Sequence, residues 1–168
     1  MSDKKPFSPH HVREAFSLTE HELRLWRTAL PPFAHIQLKA GQDLGFSYGQ
    51  LLGFGIITRL VKKIGLSPNQ LTEVSAAIFE HCSSTLWEQI ARESLRLTID
   101  LENGNATTVG FITGRDRNAL TAAPAAVLSL PLGAVIVAVQ DYLYHAGFTP
   151  IKQQLDLRYL NSVTGAKP

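Results

Sequence analysis

One local pattern occurs four times in the first 71 residues and constrains the fold of this chain more than any other feature. In each instance an apolar residue precedes Ser or Thr, and the polar residue three positions later precedes a second apolar residue. The hydroxyl caps free N–H groups of a first helical turn, while the two apolar side chains pack together as a staple. The pattern therefore predicts four helix starts, at Ser8, Thr19, Ser47 and Ser67.

Helix-breaking residues set the lengths of these four helices. Pro31-Pro32 ends the second helix and Gly65 ends the third. The third helix is apolar over a wide face, as expected of a core helix, and its three glycines favour close approach of other helices. The predicted helices span residues 9–16, 20–29, 48–63 and 68–81, and the glycines are Gly49, Gly53 and Gly55.

The first two predicted helices are joined by a tight turn, which is typical of a helix-turn-helix. Residues 32–45 then alternate apolar and polar side chains, which predicts a short hairpin and hence a winged helix-turn-helix. The segment from Thr19 to Arg27 resembles the recognition-helix segment of the MerR family of transcription regulators. The segment 46–51 and the run Gly65-Leu66-Ser67 are similar to the third helix of that family and its entry to the fourth.

This resemblance covers about residues 6–81 and implies a winged helix-turn-helix that binds duplex DNA. Ser17 stands where the family usually has a turn glycine. In this architecture the exposed face of the second helix enters the major groove, and neighbouring groups contact phosphates. Arg24 has the charge and reach to bind either a guanine or a phosphate.

Spacing on the second predicted helix separates an exposed face from a buried one. His21, Arg24 and Thr28 share the exposed face with Arg27 beside them, whereas Leu23, Trp26 and Leu30 form the opposite stripe. Lys39 in the predicted hairpin and the helix starts near Ser8 and Ser47 are candidate phosphate contacts. The predicted DNA-binding residues are Ser8, Thr19, His21, Arg24, Arg27, Thr28, Lys39 and Tyr48. Alternatively, the two arginines are solvated charges that pair with Glu20 and other acids.

The second half of the chain predicts a different kind of structure. A capping box at Thr85 predicts a helix to about Glu93, and strict alternation predicts a strand at residues 95–101. A return strand at 107–113 follows the Asn103-Gly104 turn, and a third strand is predicted at 125–130. A three-residue loop, Asn103-Gly104-Asn105, would place the apolar side chains of the first two strands on one face. A last helix, residues 132–145, closes at Gly147. The fold class is therefore α+β.

We expect a winged helix-turn-helix domain at residues 1–82, a small α+β module at 83–149 and a polar tail at 150–168. No sustained heptad repeat follows residue 82, so a long dimerisation coiled coil is not expected. The α+β module has three possible roles: it dimerises the protein through its apolar helix or hairpin, it holds a small ligand, or it simply forms a core.

Composition and motif content exclude several other classes. Apolar residues make up 45% of the chain and charged residues 18%, which excludes a disordered protein, and the net charge is only +2. The single cysteine, Cys82, excludes a disulfide framework and a four-thiolate metal site. The sequence has no phosphate-binding loop, nucleophile elbow or zinc-protease motif. We therefore predict no catalytic residues, metal or cofactor, and a chain that is not an enzyme.

An uncharged stretch lies between Arg117 and Asp141 and is long enough to span a bilayer, but Pro124 and Pro131 interrupt it. The amino-terminal residues contain no apolar signal segment. We therefore expect a cytoplasmic protein without membrane contacts.

The sequence thus predicts a transcription regulator that binds duplex DNA as a homodimer, with a possible small-molecule effector. Two alternatives stay open: a protein-interaction module on a winged-helix scaffold without DNA contacts, and a small-molecule-binding module in the carboxyl-terminal half.

Overall fold

Helices dominate the first half of the computed structural model, which describes residues 6–31, 33–34, 44–114 and 125–148. Helix α1 spans Pro9–Phe16 and α2 spans Glu20–Ala29. Helix α3 spans Tyr48–Arg59 and continues as a π-helical turn, Leu60–Ile64. A 3-10 turn, Pro68–Leu71, leads into α4, which spans Thr72–Ser84.

All four predicted helix starts are confirmed, each with a complete capping box. The Ser or Thr hydroxyl accepts an N–H from the residue three positions later, whose side chain accepts the backbone N–H of the cap residue. The staple residues are buried or half-buried in every case. The fourth helix differs from its predicted span, because it starts as a 3-10 turn and continues past His81 to Ser84, with Cys82 buried on its inner face.

The predicted hairpin at residues 32–45 falls largely on positions 32 and 35–43, which lie outside the described residues. The structure does describe the backbone next to the end of this segment. Phe7 and Phe46 form an antiparallel bridge, with N–H to O distances of 3.2 and 2.7 Å. The start of the chain is therefore tied directly to the start of α3.

The second half contains a short helix, a sheet and a last helix. Helix α5 spans Trp87–Ile90 and α6 spans Gly133–His145. Strands β1 (Glu93–Asp100), β2 (Ala106–Thr113) and β3 (Ala125–Pro131) form an antiparallel sheet in the order β2-β1-β3. The predicted α+β class is confirmed, as are the third strand and the apolar last helix, which ends near Gly147 at a φ of 78°.

The predicted helix from Thr85 to about Glu93 is wrong. Helix α5 has only four residues, and its N-cap is Leu86, whose side chain cannot cap. The N–H of Thr85 instead donates to the carbonyl of His81 at the end of α4. Glu93 opens β1 because its buried carboxylate reaches the His81 ring, with 2.6 Å between Oε2 and Nε2.

The β1–β2 loop also differs from the prediction. The Asp100 N–H donates to the carbonyl of Asn105, the residue before β2, at 2.9 Å and encloses a four-residue turn, 101–104. The Asp100 carboxylate accepts the N–H of Glu102 and the side-chain amide of Asn103, each at 2.8 Å. A register shift near Thr98 leaves one extra residue in β2 and restores the parity of the pairing. Leu97 and Ile99 therefore still share a face with the apolar residues of β2, as predicted.

Helix α3 is the centre of the packing, and its glycines mark the places where other helices approach. A Cβ added at Gly49 would lie 2.5 Å from the Ser83 Cα of α4, and one added at Gly53 would lie 2.4 Å from the Phe79 ring. The predicted close approach of neighbouring helices is thus confirmed. At Gly55, a Cβ would meet both Val135 of α6, at 3.0 Å, and Phe16 of α1, at 3.1 Å.

Helix α6 also touches α1 through a polar contact. The Tyr142 hydroxyl donates to the Glu14 carboxylate at 3.1 Å, and burial together with this carboxylate raises the pKa of Tyr142 to about 12. A single apolar core therefore continues from residues before position 82 into those after it. Among the described residues, no helix has the length and apolar character needed to cross a bilayer.

The packing at Gly49 gives a stability prediction. We expect Gly49→Ala to lower the free energy of unfolding by about 1–3 kcal/mol, because its Cβ would meet the backbone of Ser83. Gly110→Ala is the matched control: a Cβ there meets nothing within 4 Å, so we expect a change below about 1 kcal/mol. Urea unfolding followed by circular dichroism measures both, and equal stabilities would contradict the packing.

Candidate nucleic-acid interface

The turn between α1 and α2 adopts a left-handed conformation. Ser17 has a φ of 52° and a ψ of 46°, and it is the only non-glycine residue with positive φ in the described part of the chain. The N–H of Leu18 donates to the Arg13 carbonyl at 2.9 Å and closes the turn. This is the conformation that a turn glycine adopts without cost, so the position of Ser17 matches its sequence-based alignment with such a glycine.

Lys62 holds this turn from the other side. Its Nζ donates to the Ser17 carbonyl at 2.9 Å and lies 3.6 Å from the Glu22 carboxylate. Lys62 belongs to the π-helical turn after α3, so the end of α3 fixes the start of α2. Sequence reasoning did not include Lys62 or the exposed Lys63 among the site residues. The available signal was the adjacent lysine pair just before Gly65.

Helix α2 has the predicted division between a buried and an exposed face. Leu23, Trp26 and Leu30 are buried. His21, Arg24 and Thr28 are exposed, and Leu25 lies beside them with 49% of its surface exposed. The structure therefore brings three of the predicted site residues, His21, Arg24 and Thr28, together on one open surface. We call this surface, including Leu25, the α2 face.

Polar groups on the α2 face contact one another. The Arg24 Nη2 lies 3.4 Å from His21 Nδ1, so the two side chains are neighbours. The Thr28 hydroxyl donates to the Leu25 carbonyl at 2.8 Å, which leaves its oxygen to accept from a ligand. Arg24 thus offers the free guanidinium donors of this surface.

Arg27 is placed differently from Arg24. It is half-buried, and its Nε is buried with no hydrogen-bond partner among the described residues. A buried N–H without a partner is unfavourable, so part of this guanidinium is unavailable to a ligand in solvent. Of the two predicted arginines, Arg24 is the more accessible.

Ser8 and Tyr48 form a second group, next to the Phe7–Phe46 bridge. The Ser8 hydroxyl is occupied by the cap of α1, where it accepts from the N–H of His11 at 3.5 Å. Tyr48 is half-buried against Phe7, with ring centroids 4.8 Å apart, and burial raises the pKa of its hydroxyl. The predicted contact Lys39 lies outside the described residues.

The first turn of α2 is acidic, and this affects where an anion can bind. The Glu22 carboxylate accepts the backbone N–H of Thr19 at 2.7 Å, and this hydrogen bond holds the pKa of Glu22 below its usual value. Both the N–H and the hydroxyl of Thr19 are used in this cap. The N-terminus of α2 is therefore already occupied, which argues against a phosphate at Thr19 itself.

Two surface grooves lie near the predicted functional regions. The first, about 320 Å³, is lined by Leu25, Thr28 and Ala29 of α2 and by Pro68 and Asn69. The second is larger, about 690 Å³, and lies between the start of β1, the end of β3 and the outer side of α6.

Among the buried polar residues, Glu93 binds His81, whereas Gln140 Nε2 in α6 has no hydrogen-bond partner among the described residues. The His81 ring stacks on Phe111, with centroids 3.7 Å apart, while it binds Glu93. Burial, with a smaller effect from Glu93, raises the pKa of the Cys82 thiol to about 12, so Cys82 is not a reactive thiolate. No group of three or more potential metal ligands occurs among the residues that the structure describes.

Comparison with protein-family models, with curated proteins and with solved structures gives no match to this chain. The resemblance to MerR regulators therefore stays a prediction that rests on the residues quoted for it.

The left-handed turn gives a second stability prediction. Ser17→Gly removes a conformational cost of about 1–2 kcal/mol from the folded state. The glycine also makes the unfolded chain more flexible, which lowers stability by about 0.4–1 kcal/mol, so we expect a net stabilisation of about 0.5–1 kcal/mol. Gly65→Ala is the opposite control, because Gly65 has a φ of 90° and no neighbour within 4 Å of an added Cβ. The midpoints of thermal and urea unfolding should rise for Ser17→Gly and fall for Gly65→Ala. A shift in the same direction would contradict the assigned turn.

Proposed function

We propose that this chain is a transcription regulator that binds duplex DNA through the α2 face and works as a homodimer. The observation that carries the proposal is the α2 face itself. A capped ten-residue helix, fixed by a tight turn to α1, presents Arg24, His21 and Thr28 side by side on its open side. Side chains of these types bind base edges and phosphates in helix-turn-helix proteins.

The dimensions of α2 fit this role. Ten residues make a helix about 15 Å long, which a major groove can admit. Because the side chain of Glu22 occupies the cap at Thr19, we infer that contact with DNA begins on the exposed face at His21 and continues towards Thr28. Arg24 lies in the middle of this run and is the residue expected to approach a guanine or a phosphate most closely.

Phosphate contacts would flank the helix. Lys62 and Lys63 add positive charge beside the α1–α2 turn, and Lys62 also offsets the charge of Glu22. Ser8 and Tyr48 lie at the starts of α1 and α3. Capping boxes already use first-turn N–H groups there, so a phosphate would be attracted by the helix dipole and by the Tyr48 hydroxyl. Lys39 is retained as a candidate from the sequence alone.

The remaining parts of the proposal follow from this activity. A regulator of this kind needs no catalytic residue, metal or cofactor. Because it would bind DNA, the proposal implies a cytoplasmic location. Repression or activation would depend on where the operator lies relative to the promoter. The larger groove beside α6 is the place where a small effector could bind.

Arg24→Ala tests the proposal directly. We expect affinity for mixed genomic duplexes to fall about 5- to 150-fold, or about 1–3 kcal/mol, with a shallower salt dependence if Arg24 contacts a phosphate. Fluorescence anisotropy over a series of salt concentrations measures both effects. Arg96→Ala is the charge-matched control, because Arg96 lies in the middle of β1, outside the helix-turn-helix and outside both grooves.

Circular dichroism must show that both variants are folded, and sedimentation must show the same oligomeric state. Equal losses in the two variants would mean that only total charge matters. If the wild-type chain fails to bind duplex DNA at low salt, the proposal is wrong.

A second candidate function is favoured by one specific observation. Leu25 is a large apolar residue at the centre of the α2 face, and it borders the groove that Pro68 and Asn69 complete. Exposed apolar side chains beside a groove are common in protein–protein interfaces. The winged-helix scaffold would then bind another protein rather than DNA.

Leu25→Ser separates this candidate from the first. If α2 binds a protein, the variant should lose a partner that the wild-type chain retains in quantitative affinity capture. Leu101→Ser is the matched control, since Leu101 is also exposed but lies in the β1–β2 loop. Identical partners for all three chains, together with intact DNA binding, would eliminate the protein-interaction candidate.

A further inference from the structure

The outer edge of β3 is an unpaired strand edge in the described part of the sheet. β3 pairs with β1 only, through seven consecutive residue pairs from Ala125 opposite Asp100 to Pro131 opposite Ser94, and this register has no bulge. Such an edge presents a row of backbone N–H and C=O groups that can pair with another strand.

Hydrogen bonds next to β3 show which residues point outward. The N–H of Leu132 donates to the Glu93 carbonyl at 3.0 Å, so Leu132 directs its backbone polar groups towards β1. Alternation along an antiparallel pair then gives Leu130 and Leu128 the same direction. Val127 and Ser129 therefore direct their N–H and C=O groups to the outer edge.

β3 lacks the features that normally protect an edge strand. It has no charged residue and no bulge, and its proline, Pro131, is the last residue of the strand. The other edge strand, β2, has a register shift opposite Thr98 that distorts its pairing. Lysines, internal prolines and bulges are the usual means of preventing strand addition, so β3 is the more open of the two edges.

An apolar surface lies next to this edge. The groove of about 690 Å³ runs between Pro131 and the outer side of α6, where Ala134, Val137 and Ala138 line it. Val127 on the strand is 42% exposed, and Val137 on the helix is 41% exposed. The outer edge of β3 carries no charged side chain, and the α6 side of the groove beside Pro131 is apolar along Ala134, Val137 and Ala138.

We propose that two copies of this chain pair through the outer edges of β3, antiparallel about a two-fold axis, with the α6 faces packed alongside. The two three-stranded sheets would then form one continuous sheet. The proposal deepens the homodimer of the proposed function and rests on it for the purpose of pairing, but the pairing itself is tested without DNA.

Charge and hydrogen bonding identify a second copy as the occupant. An antiparallel strand is its own complement, because a two-fold axis places the same donors and acceptors opposite each other. A neutral strand brings no like charges together in this arrangement. A strongly acidic or basic partner would find no opposite charge on β3. The neighbouring groove is lined by one basic and two acidic residues, Arg92, Glu93 and Asp141, so its formal charge is only −1 and gives a highly charged partner little attraction.

Sedimentation equilibrium of the full chain, across a wide range of concentration, tests the proposal. We expect a wild-type dimer, and we expect Val127→Lys to weaken it more than about tenfold, because two lysines would face each other near the axis. Thr108→Lys is the matched control. Thr108 and Val127 both lie opposite Thr98, at the same level of the sheet and on the same face, but on opposite edges.

Ser129→Pro is a second, independent variant. It removes an outward N–H but none of the inferred bonds to β1, so it should also weaken the dimer while circular dichroism shows a folded chain. A wild-type monomer throughout the range would overturn the proposal. Dimers of equal strength in all the variants would also overturn it, because the interface would then lie elsewhere.

The two proposals can fail separately. A dimer that depends on Val127 but does not bind duplex DNA would contradict the proposed function alone. A chain that binds DNA through Arg24 but sediments as a monomer would contradict β3 pairing alone.

Discussion

Close packing around α3 is the constraint on which the rest of the structure depends. From Gly49 to Ile57, every residue except Gln50 is buried, which is possible only because neighbouring backbones come very near. Gly49 and Gly53 leave room for α4, and the space beyond is filled by aromatic rings, including Phe54 and Phe79, which meet edge to face. Such packing gains dispersion energy and tolerates little change in volume. Helices α1, α4 and α6 take their positions from it.

The features that the sequence predicted correctly are those with a local cause. A capping box needs only residues within one turn, so the starts at Ser8, Thr19, Ser47 and Ser67 could be read directly. The first strand followed from strict alternation, and the glycines of α3 indicated close helix packing before any neighbour was known. The division of α2 into buried and exposed faces followed from helical spacing in the same way.

The features that the sequence did not predict depend on residues far apart in the chain. Thr85 has a good local signal for a helix start, but α4 extends to Ser84 and the Glu93 carboxylate binds His81, so this signal is overridden. Lys62 contacts Ser17 across 45 positions, a pairing that no spacing rule supplies. For the candidate site, helical spacing located the exposed side chains, whereas the partial burial of Arg27 required coordinates.

The meeting of α6 and α1 over Gly55, with the bond from Tyr142 to Glu14, has a geometric consequence for a dimeric reader of DNA. Helix α6, which would lie at the dimer contact, packs directly against α1 of the pair that would meet the duplex. In a dimer, the distance between the two copies of α2 would then be fixed by the packing of the protein. Such a dimer would bind operators with one spacing of half-sites and would bind poorly to a site lengthened by a few base pairs.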